Sequence, residues 1–300
     1  MALCDGRVVI VTGAARGLGR AHALAFAAEG ASVVVNDYGV GLDGTGADRT
    51  PAQQVVDEIV AAGGVAVANY DDVADWSGAE ALVRTAVESF GRLDVLVNNA
   101  GFLRDRMLAN LSEQEWDAVI RVHLKGHFAP LRHAAGYWRA ESKAGRSPDA
   151  RVINTSSGAG LQGSVGQGNY SAAKAGIAAM TLVAAVELAR YGVTVNAIAP
   201  VARTRMTEST FADLMATGDQ GFDAMAPENV SPLVVWLGSA AAAHVTGRVF
   251  EVEGGKVALA SGWRHGVPTD KGGRWQPAEL GAVVADLLAK AEPGEPVYGA

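Results

Sequence analysis

The sequence predicts an α/β fold in which seven parallel strands form one doubly wound sheet with helices on both faces. Short β-branched runs alternate with longer Ala-rich segments along most of the 300 residues, which is the pattern of repeated strand–helix units. Most of these runs are apolar throughout, as expected for parallel strands that are covered on both faces. Glycine accounts for 37 residues, so the chain needs many tight turns or close backbone approaches.

Seven short apolar runs are the predicted strands. They are Val8–Val11, Ser32–Asn36, Val65–Asn69, Val95–Asn98, Arg151–Thr155, Thr194–Ile198 and Val249–Val252. Capping patterns mark the starts of two intervening helices. Thr50 precedes Pro51 and has Gln53 three residues further on, which is the spacing of a capping box. Ser112 with Glu115 repeats that spacing.

The composition changes near residue 255. Strand–helix alternation continues up to that point, so residues 1–255 are predicted to form a single domain. Residues 256–300 are rich in Gly, Pro and basic side chains and are predicted to be a C-terminal extension with a short helix at Ala278–Leu288. Because Trp263 and Trp275 can bury apolar area, we expect this extension to pack against the domain.

Charge and cysteine content exclude several classes of function. The net charge of -7 argues against nucleic acid or an anionic membrane surface as the main partner. Cys4 is the single cysteine and cannot form an internal disulfide, which favours a reducing compartment. The most apolar uncharged stretch, Ala175–Val186, falls well short of the roughly 20 residues that a membrane span needs. We therefore expect a cytoplasmic protein with no membrane or nucleic-acid partner, and the scattered histidines predict no metal site.

A glycine-rich loop follows the first predicted strand and precedes a helical pattern. The run Gly13–Gly19 has the spacing Gly-x-x-x-Gly-x-Gly, and its candidate contacts are Gly13, Arg16, Gly17, Leu18 and Gly19. Glycines allow the backbone to approach a pyrophosphate, whose charge then lies at the N-terminus of the helix. The strand before and the helix after favour nucleotide binding over an ordinary turn.

Acidic residues after the next two strands bear on the choice of cofactor. Asp37 ends the second strand, where a carboxylate accepts hydrogen bonds from the adenosine ribose and repels a 2′-phosphate. This favours NAD, although Arg16 within the loop is a competing signal for NADP. Asp72 and Val73 follow the third strand and are candidates for the adenine edge. Asp72 also suits a turn or a helix cap.

Tyr170 and Lys174 begin the most apolar helical pattern of the chain. Their i, i+4 spacing puts the phenol and the ammonium on one face of the helix. Because a nearby cation favours the phenolate, we expect the pKa of Tyr170 to be lowered from about 10 toward the working pH. Tyr170 is therefore a candidate proton donor and acceptor for an alcohol–carbonyl pair.

Two further features accompany this pair. Ser157 precedes Tyr170 at the end of the fifth strand, and Asn98–Gly101 closes the fourth strand with the sequence Asn-Asn-Ala-Gly. Together with the glycine loop, these residues resemble the short-chain dehydrogenase/reductase family across residues 1–255. The resemblance implies a Rossmann-like fold and an oxidoreductase.

The resemblance also implies a role for each matching residue. Ser157 would polarise the substrate oxygen, Tyr170 would exchange its proton, and Lys174 would bind the nicotinamide ribose and support the phenolate. Ser156 is adjacent, but the spacing to Tyr170 favours Ser157. The cofactor contacts implied by the resemblance are Asn98, Asn99, Ala100, Gly101, Pro200 and Thr204.

His123 departs from the family's pattern. It occupies the position of the family's proton-relay asparagine, within the run Val122–Gly126, and is therefore a fourth candidate catalytic residue. A hydrogen-bonded core histidine is the alternative. The chain is most similar to the branch that contains the (3R)-hydroxyacyl-CoA dehydrogenase unit of peroxisomal multifunctional enzyme type 2 and related actinobacterial-type dehydrogenases.

This branch implies an NAD-dependent oxidoreductase that interconverts a secondary alcohol and a ketone. A 3-hydroxyacyl-CoA is the first candidate substrate and a hydroxysteroid the second. The alternatives are a dehydrogenase for an unrelated small alcohol or cyclic ketone and a non-catalytic nucleotide-binding scaffold. The scaffold is disfavoured because it has no physical need for Ser157, Tyr170 and Lys174 together.

Two segments bear on the substrate. The stretch Met206–Pro227 lies where the family has its substrate loop, and its apolar side chains suit an acyl chain or a steroid about as well as they suit core packing; they are Phe211, Leu214, Met215, Phe222 and Met225. The stretch Lys256–Arg274 carries four basic side chains against Asp270. That charge suits coenzyme A phosphates, a solvated surface or a subunit contact.

Family members pair through two long helices. We therefore expect a homodimer or homotetramer with isologous contacts. The corresponding helices of this chain run through Trp116–Tyr137 and Tyr170–Tyr191.

Overall fold

Parallel strands form the centre of the molecule. The computed structural model describes residues 2–39, 48–204 and 221–299 of the chain. Within these residues one sheet has the order β3-β2-β1-β4-β5-β6-β7-β8. Its strands are β1 Val8–Thr12, β2 Ser32–Asn36, β3 Val65–Asn69, β4 Val95–Asn98, β5 Ala150–Thr155, β6 Val193–Val201, β7 Val249–Glu253 and β8 Lys256–Leu259. The first seven are parallel to one another, so the predicted doubly wound α/β sheet is confirmed.

The predicted number of strands is one too few. β8 pairs with β7 in the antiparallel direction, with Val252 opposite Val257. Gly254 and Gly255 form the tight turn between them, and Gly254 has a φ of +53° that favours glycine. The four residues of β8 are all exposed, so no run of buried apolar residues marked this edge strand in the sequence.

Helices cover both faces of the sheet. They are α1 Gly17–Ala28, α2 Thr50–Ala61, α3 Trp76–Phe90, α4 Glu113–Ile120, α5 Gly126–Lys143, α6 Gly158–Gln162, α7 Gly168–Leu188 and α8 Ser231–Gly238. A further helix, α9 Leu280–Lys290, lies in the exposed C-terminal extension. The capping box of Ser112 and Glu115 is present at the start of α4. The cap predicted at Thr50 is wrong, because Thr50 is already helical and its amide donates to the Asp48 carboxylate at 2.9 Å.

The apolar residues of a strand alternate between two cores. In β1, Val9 and Val11 belong to the core under α1, α2 and α8, with Phe26 among its largest side chains. Val8 and Ile10 face the other core, under α3, α5 and α7. Because both faces are buried, the strand is apolar at every position.

Helix α7 and the turn that follows it are strongly apolar. The segment Gly168–Tyr191 is long and apolar enough to cross a membrane by length and composition, the one such helix among the described residues. It passes this test although it contains Lys174, whereas the uncharged stretch Ala175–Val186 was too short. The helix packs on β5 and β6, and its exposed apolar side chains are Leu182, Val183 and Val186.

Within the described residues, the C-terminal extension joins the domain through β8 at its start and through Tyr298 near its end. A 3₁₀ turn, Pro277–Glu279, leads into α9, close to the predicted helix. The expectation that the extension packs against the domain is wrong for most of it, since residues 261–296 are largely exposed and Trp263 is fully exposed. Lys271 binds Glu279 and lies over the Trp275 ring, so its charge is already paired.

Candidate active site

The glycine loop lies at the carboxyl end of β1, where the order of strands reverses. Gly13 has a φ of +63°, and a side chain there would place its Cβ 2.8 Å from the Cα of Ala100. A Cβ on Gly19 would lie 2.2 Å from the Gly13 carbonyl oxygen. Both positions therefore require glycine. A crevice at this point of an open α/β sheet is where such folds bind dinucleotides.

Hydrogen bonds join this loop to the end of β4. The Thr12 hydroxyl accepts from the amides of Asn99 at 2.9 Å and Ala100 at 3.1 Å. The Asn99 side chain donates to the Thr12 carbonyl at 3.0 Å. On the opposite side, a Cβ on Gly17 would be 3.5 Å from the Thr204 methyl group. The structure thus brings together the predicted cofactor residues that follow β1 and β4 with Thr204, which follows β6; Pro200 lies within β6 and is half-buried.

Asp37 lies beside the glycine loop, as its predicted role requires. Its carboxylate accepts from the Ala15 amide at 3.1 Å and from the Gly39 amide at 2.8 Å. The residue is half-buried, so part of its surface is accessible to a ligand. This arrangement fits a ribose partner.

Asp72 is engaged within the protein. Its carboxylate accepts from the Ala74 amide at 2.8 Å and pairs with Arg121 at 2.6 Å. These contacts are those of a turn residue, which was the alternative interpretation. A role of Asp72 or the buried Val73 toward an adenine ring stays a prediction.

The structure distinguishes the two adjacent serines. The Ser156 hydroxyl is buried and donates to the Lys174 carbonyl at 2.9 Å. Ser157 caps α6, where its hydroxyl oxygen accepts from the Ala159 amide at 3.2 Å. It also makes a side-chain hydrogen bond with Tyr170. Ser157 is therefore the serine that faces the candidate proton donor.

The electrostatics of the Tyr170 and Lys174 pair differ from our expectation. Burial raises the pKa of Tyr170 to about 12, and the hydrogen bond with Ser157 offsets only part of this rise. Burial also lowers the pKa of Lys174 to about 7. The predicted lowering of the Tyr170 pKa is wrong for this site, because desolvation of the phenolate outweighs attraction to a cation that is itself desolvated.

Lys174 is held at the end of β5. Its ammonium donates to the Thr155 carbonyl at 2.6 Å and lies 5.5 Å from the centroid of the Tyr170 ring. The side chain is buried. Sequence reasoning missed Thr155, since a backbone acceptor has no signal in the sequence beyond its place at a strand end.

His123 lies in a one-turn π-helix, Arg121–Lys125, between α4 and α5. Its Nε2 is 2.7 Å from the Phe102 carbonyl oxygen and 3.1 Å from the Phe102 amide nitrogen. The ring is buried against Gly101, where a Cβ would come within 2.2 Å of the imidazole. Burial and then the charge of Lys174 lower the pKa of His123 to about 3, so the imidazole is neutral. π-Helical turns within helices occur frequently at functional sites.

A second histidine in this region was missed. His127 is one helical turn after His123, is buried, and has no hydrogen-bond partner for either ring nitrogen within the described residues. Burial lowers its pKa, with a smaller contribution from Lys174. The i, i+4 spacing of the two histidines was the available signal.

Part of the predicted substrate loop lies outside the described residues. Phe211, Leu214 and Met215 belong to that part. Phe222 is exposed, and the Met225 carbonyl accepts from the Arg203 amide at 2.6 Å. Among residues 2–39, 48–204 and 221–299, no group of three His, Cys, Asp or Glu side chains is arranged to hold a metal.

Comparison with known proteins agrees with this geometry. The family described as short chain dehydrogenase matches residues 7–214. Hydroxyacyl-CoA dehydrogenase ChsB1 of Mycobacterium tuberculosis is 49% identical over 297 residues, which cover 96% of this chain and 90% of that protein. Peroxisomal multifunctional enzyme type 2 of Mus musculus is 43% identical over 280 residues, which cover 93% of this chain but 34% of that protein.

A solved structure carries the same fold. The crystal structure of a short chain dehydrogenase from Mycobacterium avium superposes with a TM-score of 0.90 at 70% identity, covering 99% of this chain and 100% of that one. The resemblance drawn from the glycine loop, Asn98–Gly101, Ser157, Tyr170 and Lys174 is therefore confirmed. The chain belongs to the short chain dehydrogenase family and is an oxidoreductase with a Rossmann-like fold.

Proposed function

We propose that this enzyme is an NAD-dependent dehydrogenase that interconverts a 3-hydroxyacyl-CoA and the corresponding 3-ketoacyl-CoA. The observation that carries the proposal is the meeting of Ser157, Tyr170 and Lys174 at the crevice that Asp37 and the glycine loop border. The names of the similar proteins support the substrate class, since ChsB1 is called a hydroxyacyl-CoA dehydrogenase.

The residues present fit a dinucleotide. Gly13 and Gly19 let the loop pack closely on itself and on the end of β4, and Asp37 supplies a carboxylate beside the loop for the ribose hydroxyls. When bound, a nicotinamide ring accepts a hydride from the alcohol carbon or returns one to the ketone. The family uses NAD or NADP; we propose NAD because a 2′-phosphate would be repelled by the Asp37 carboxylate.

Each catalytic side chain has a proton or a position to hold. Ser157 donates a hydrogen bond to the substrate oxygen, and Tyr170 takes the alcohol proton on oxidation and returns it on reduction. Lys174 is held by the Thr155 carbonyl. When Lys174 is protonated, its charge favours the phenolate form of Tyr170. His123, whose ring stands edge-on to that of Tyr170, is proposed to hold Tyr170 in place.

We also propose a cytoplasmic homodimer or homotetramer. Leu182, Val183 and Val186 form an exposed apolar stripe on α7, and stripes of this kind mark contacts between proteins. The isologous pairing of α7 with its copy would cover the stripe. The oligomeric state is measured by sedimentation of the full chain, and Val186→Glu should dissociate the assembly.

The test of the substrate class is a panel of alcohols. Reduction of NAD and of NADP is followed with 3-hydroxyacyl-CoA esters of several chain lengths and both configurations, with hydroxysteroids, and with small secondary and cyclic alcohols. We expect the highest kcat/KM for a 3-hydroxyacyl-CoA with NAD. A higher kcat/KM for a hydroxysteroid or a small alcohol would overturn the proposed substrate.

A further inference from the structure

The C-terminal tail returns to the active site after its long exposed stretch. The carbonyl of Tyr298 accepts from the Val165 amide at 2.9 Å, and the Tyr298 amide donates to the Gly163 carbonyl at 3.2 Å. Ser164 and Tyr298 thereby form a parallel β-bridge. The tail thus binds the segment that connects α6, which Ser157 caps, to α7, which carries Tyr170.

The side chain of Tyr298 lies against the residue next to the catalytic serine. A Cβ built on Gly158 would lie 2.7 Å from the Tyr298 hydroxyl oxygen and 2.9 Å from its Cε2. These are the nearest atoms that it would meet, ahead of any atom of the domain. The Tyr298 ring therefore occupies the space that a side chain at position 158 would need.

The connecting segment needs contacts from outside to hold its shape. Gly163 and Gly166 have φ values of +87° and +77°, and glycine gives such a segment more conformational freedom than other residues do. One side is held by the Arg106 amide, which donates to the Gly166 carbonyl at 2.8 Å. Tyr298 holds the other side, and Val297 packs next to Gly163.

We propose that Tyr298 is a positioning residue for the dehydrogenase reaction, within a strap formed by Val297–Gly299 that fixes Ser157 relative to Tyr170. Its ring packs against Gly158, and its backbone hydrogen bonds hold the loop at Gly163 and Val165. The inference rests on the proposed dehydrogenase chemistry but not on the choice of acyl-CoA, since any alcohol that the enzyme oxidises can report it.

The contact is one of shape more than of charge. The pKa of Tyr298 is raised, first by burial and then by the carboxylates of Glu251, Glu253 and Glu295. The phenol is therefore neutral near pH 7. A phenylalanine at position 298 should keep the packing of the ring and serve as the conservative variant.

Four variants of the full chain test the strap. They are Tyr298→Phe, Tyr298→Ala, Gly158→Ala and the double variant Gly158→Ala/Tyr298→Ala. Gly158 has no positive φ, so alanine there conflicts with the Tyr298 ring and not with the backbone. Steady-state kcat and KM, NAD affinity and thermal unfolding are measured for each variant.

We expect Tyr298→Ala to lower kcat/KM about tenfold, since a misplacement of well under 1 Å has effects of this size. NAD affinity and thermal stability should stay near those of the wild type, because the backbone hydrogen bonds of Tyr298 go to Gly163 and Val165 and not to the glycine loop. Tyr298→Phe should retain most of the activity. Gly158→Ala should be impaired in the wild-type background and should cost nothing further once Tyr298 is alanine.

Two kinetic results would overturn the inference. One is wild-type kcat/KM in Tyr298→Ala. The other is an equal loss from Gly158→Ala with and without the Tyr298 side chain, which would mean that the alanine acts independently of the strap.

Hydrogen exchange separates this inference from the proposed function. The Val165 amide should lose protection in Tyr298→Ala and keep it in Tyr298→Phe, and this readout needs no substrate. If no alcohol is oxidised by the wild type, the proposed function fails while this coupling can still be measured. Unchanged protection of Val165 in Tyr298→Ala would contradict the strap whatever the substrate is.

Discussion

The imidazole of His123 stands edge-on to the ring of Tyr170, with centroids 5.1 Å apart and planes at 87°. Its Nε2 also forms a hydrogen bond with the Phe102 backbone. His123 therefore links the segment after β4 to the proposed proton donor. A buried neutral imidazole in this position can fix the phenol without carrying charge.

His123→Ala should lower kcat about tenfold, because the Tyr170 ring loses the group that holds it on one side. His123→Asn keeps a hydrogen-bonding side chain and should recover part of the rate. Turnover is normalised to folded protein, with NAD affinity measured in parallel. If both variants have a lower melting temperature but the same kcat as the wild type, His123 is a packing residue.

Gly19→Ala should destabilise the protein and weaken NAD binding. The added Cβ would lie 2.2 Å from the Gly13 carbonyl oxygen and 2.6 Å from the side-chain nitrogen Nδ2 of Asn99. Overpacking of this kind costs about 1–3 kcal/mol. The matched control is Gly281→Ala in α9, where a Cβ meets nothing within 4 Å; it should leave the melting temperature of the domain and the NAD affinity unchanged. Equal effects at both positions would contradict the close approach at Gly19.

Asp37→Ala should narrow the preference for NAD over NADP. The change removes a ribose acceptor and the repulsion of a 2′-phosphate, so kcat/KM should fall for NAD and rise for NADP. Asn is the isosteric comparison, since Asp37→Asn keeps the shape and removes the charge. A wild-type enzyme that works better with NADP would show that Arg16 decides the preference.

Acid should destabilise the protein through its buried histidines. Burial lowers the pKa of His22 from 6.5 to about 3. Below pH 6.5 the His22 imidazole therefore binds a proton in the unfolded chain but stays neutral in the native state. The free energy of unfolding then falls by up to about 1.4 kcal/mol per pH unit for this group. Urea unfolding at pH 7 and pH 5 should show a smaller loss in His22→Asn than in the wild type. The exposed control, His265→Asn, should lose as much free energy of unfolding between pH 7 and pH 5 as the wild type does. An equally large loss in His22→Asn would mean that His22 does not contribute to the destabilisation by acid.

Local patterns in the sequence were sufficient to predict the parallel sheet and the proximity of Ser157, Tyr170 and Lys174. Strands that are buried on both faces appear in the sequence as continuous apolar runs. Each end of the seven parallel strands lies within three residues of its predicted position. Ser157, Tyr170 and Lys174 share a site because strand ends and one helix turn fix them. Such short-range geometry is encoded in residue spacing.

Features that depend on distant parts of the chain could not be predicted. The edge strand Lys256–Leu259 is exposed and lacks apolar alternation. The raised pKa of Tyr170 depends on burial by elements far apart in sequence. The bridge between Ser164 and Tyr298 joins residues more than 100 positions apart, and no periodicity in either segment indicates it.

The turnover of Tyr170→Phe tests whether Tyr170 transfers the proton between alcohol and ketone. This change removes the hydroxyl while the ring can still pack against His123 and near Lys174. We expect kcat with a 3-hydroxyacyl-CoA to fall by roughly 10²–10⁴, with NAD affinity and melting temperature close to those of the wild type. Turnover within a few-fold of the wild type in a folded, NAD-binding Tyr170→Phe enzyme would contradict the account.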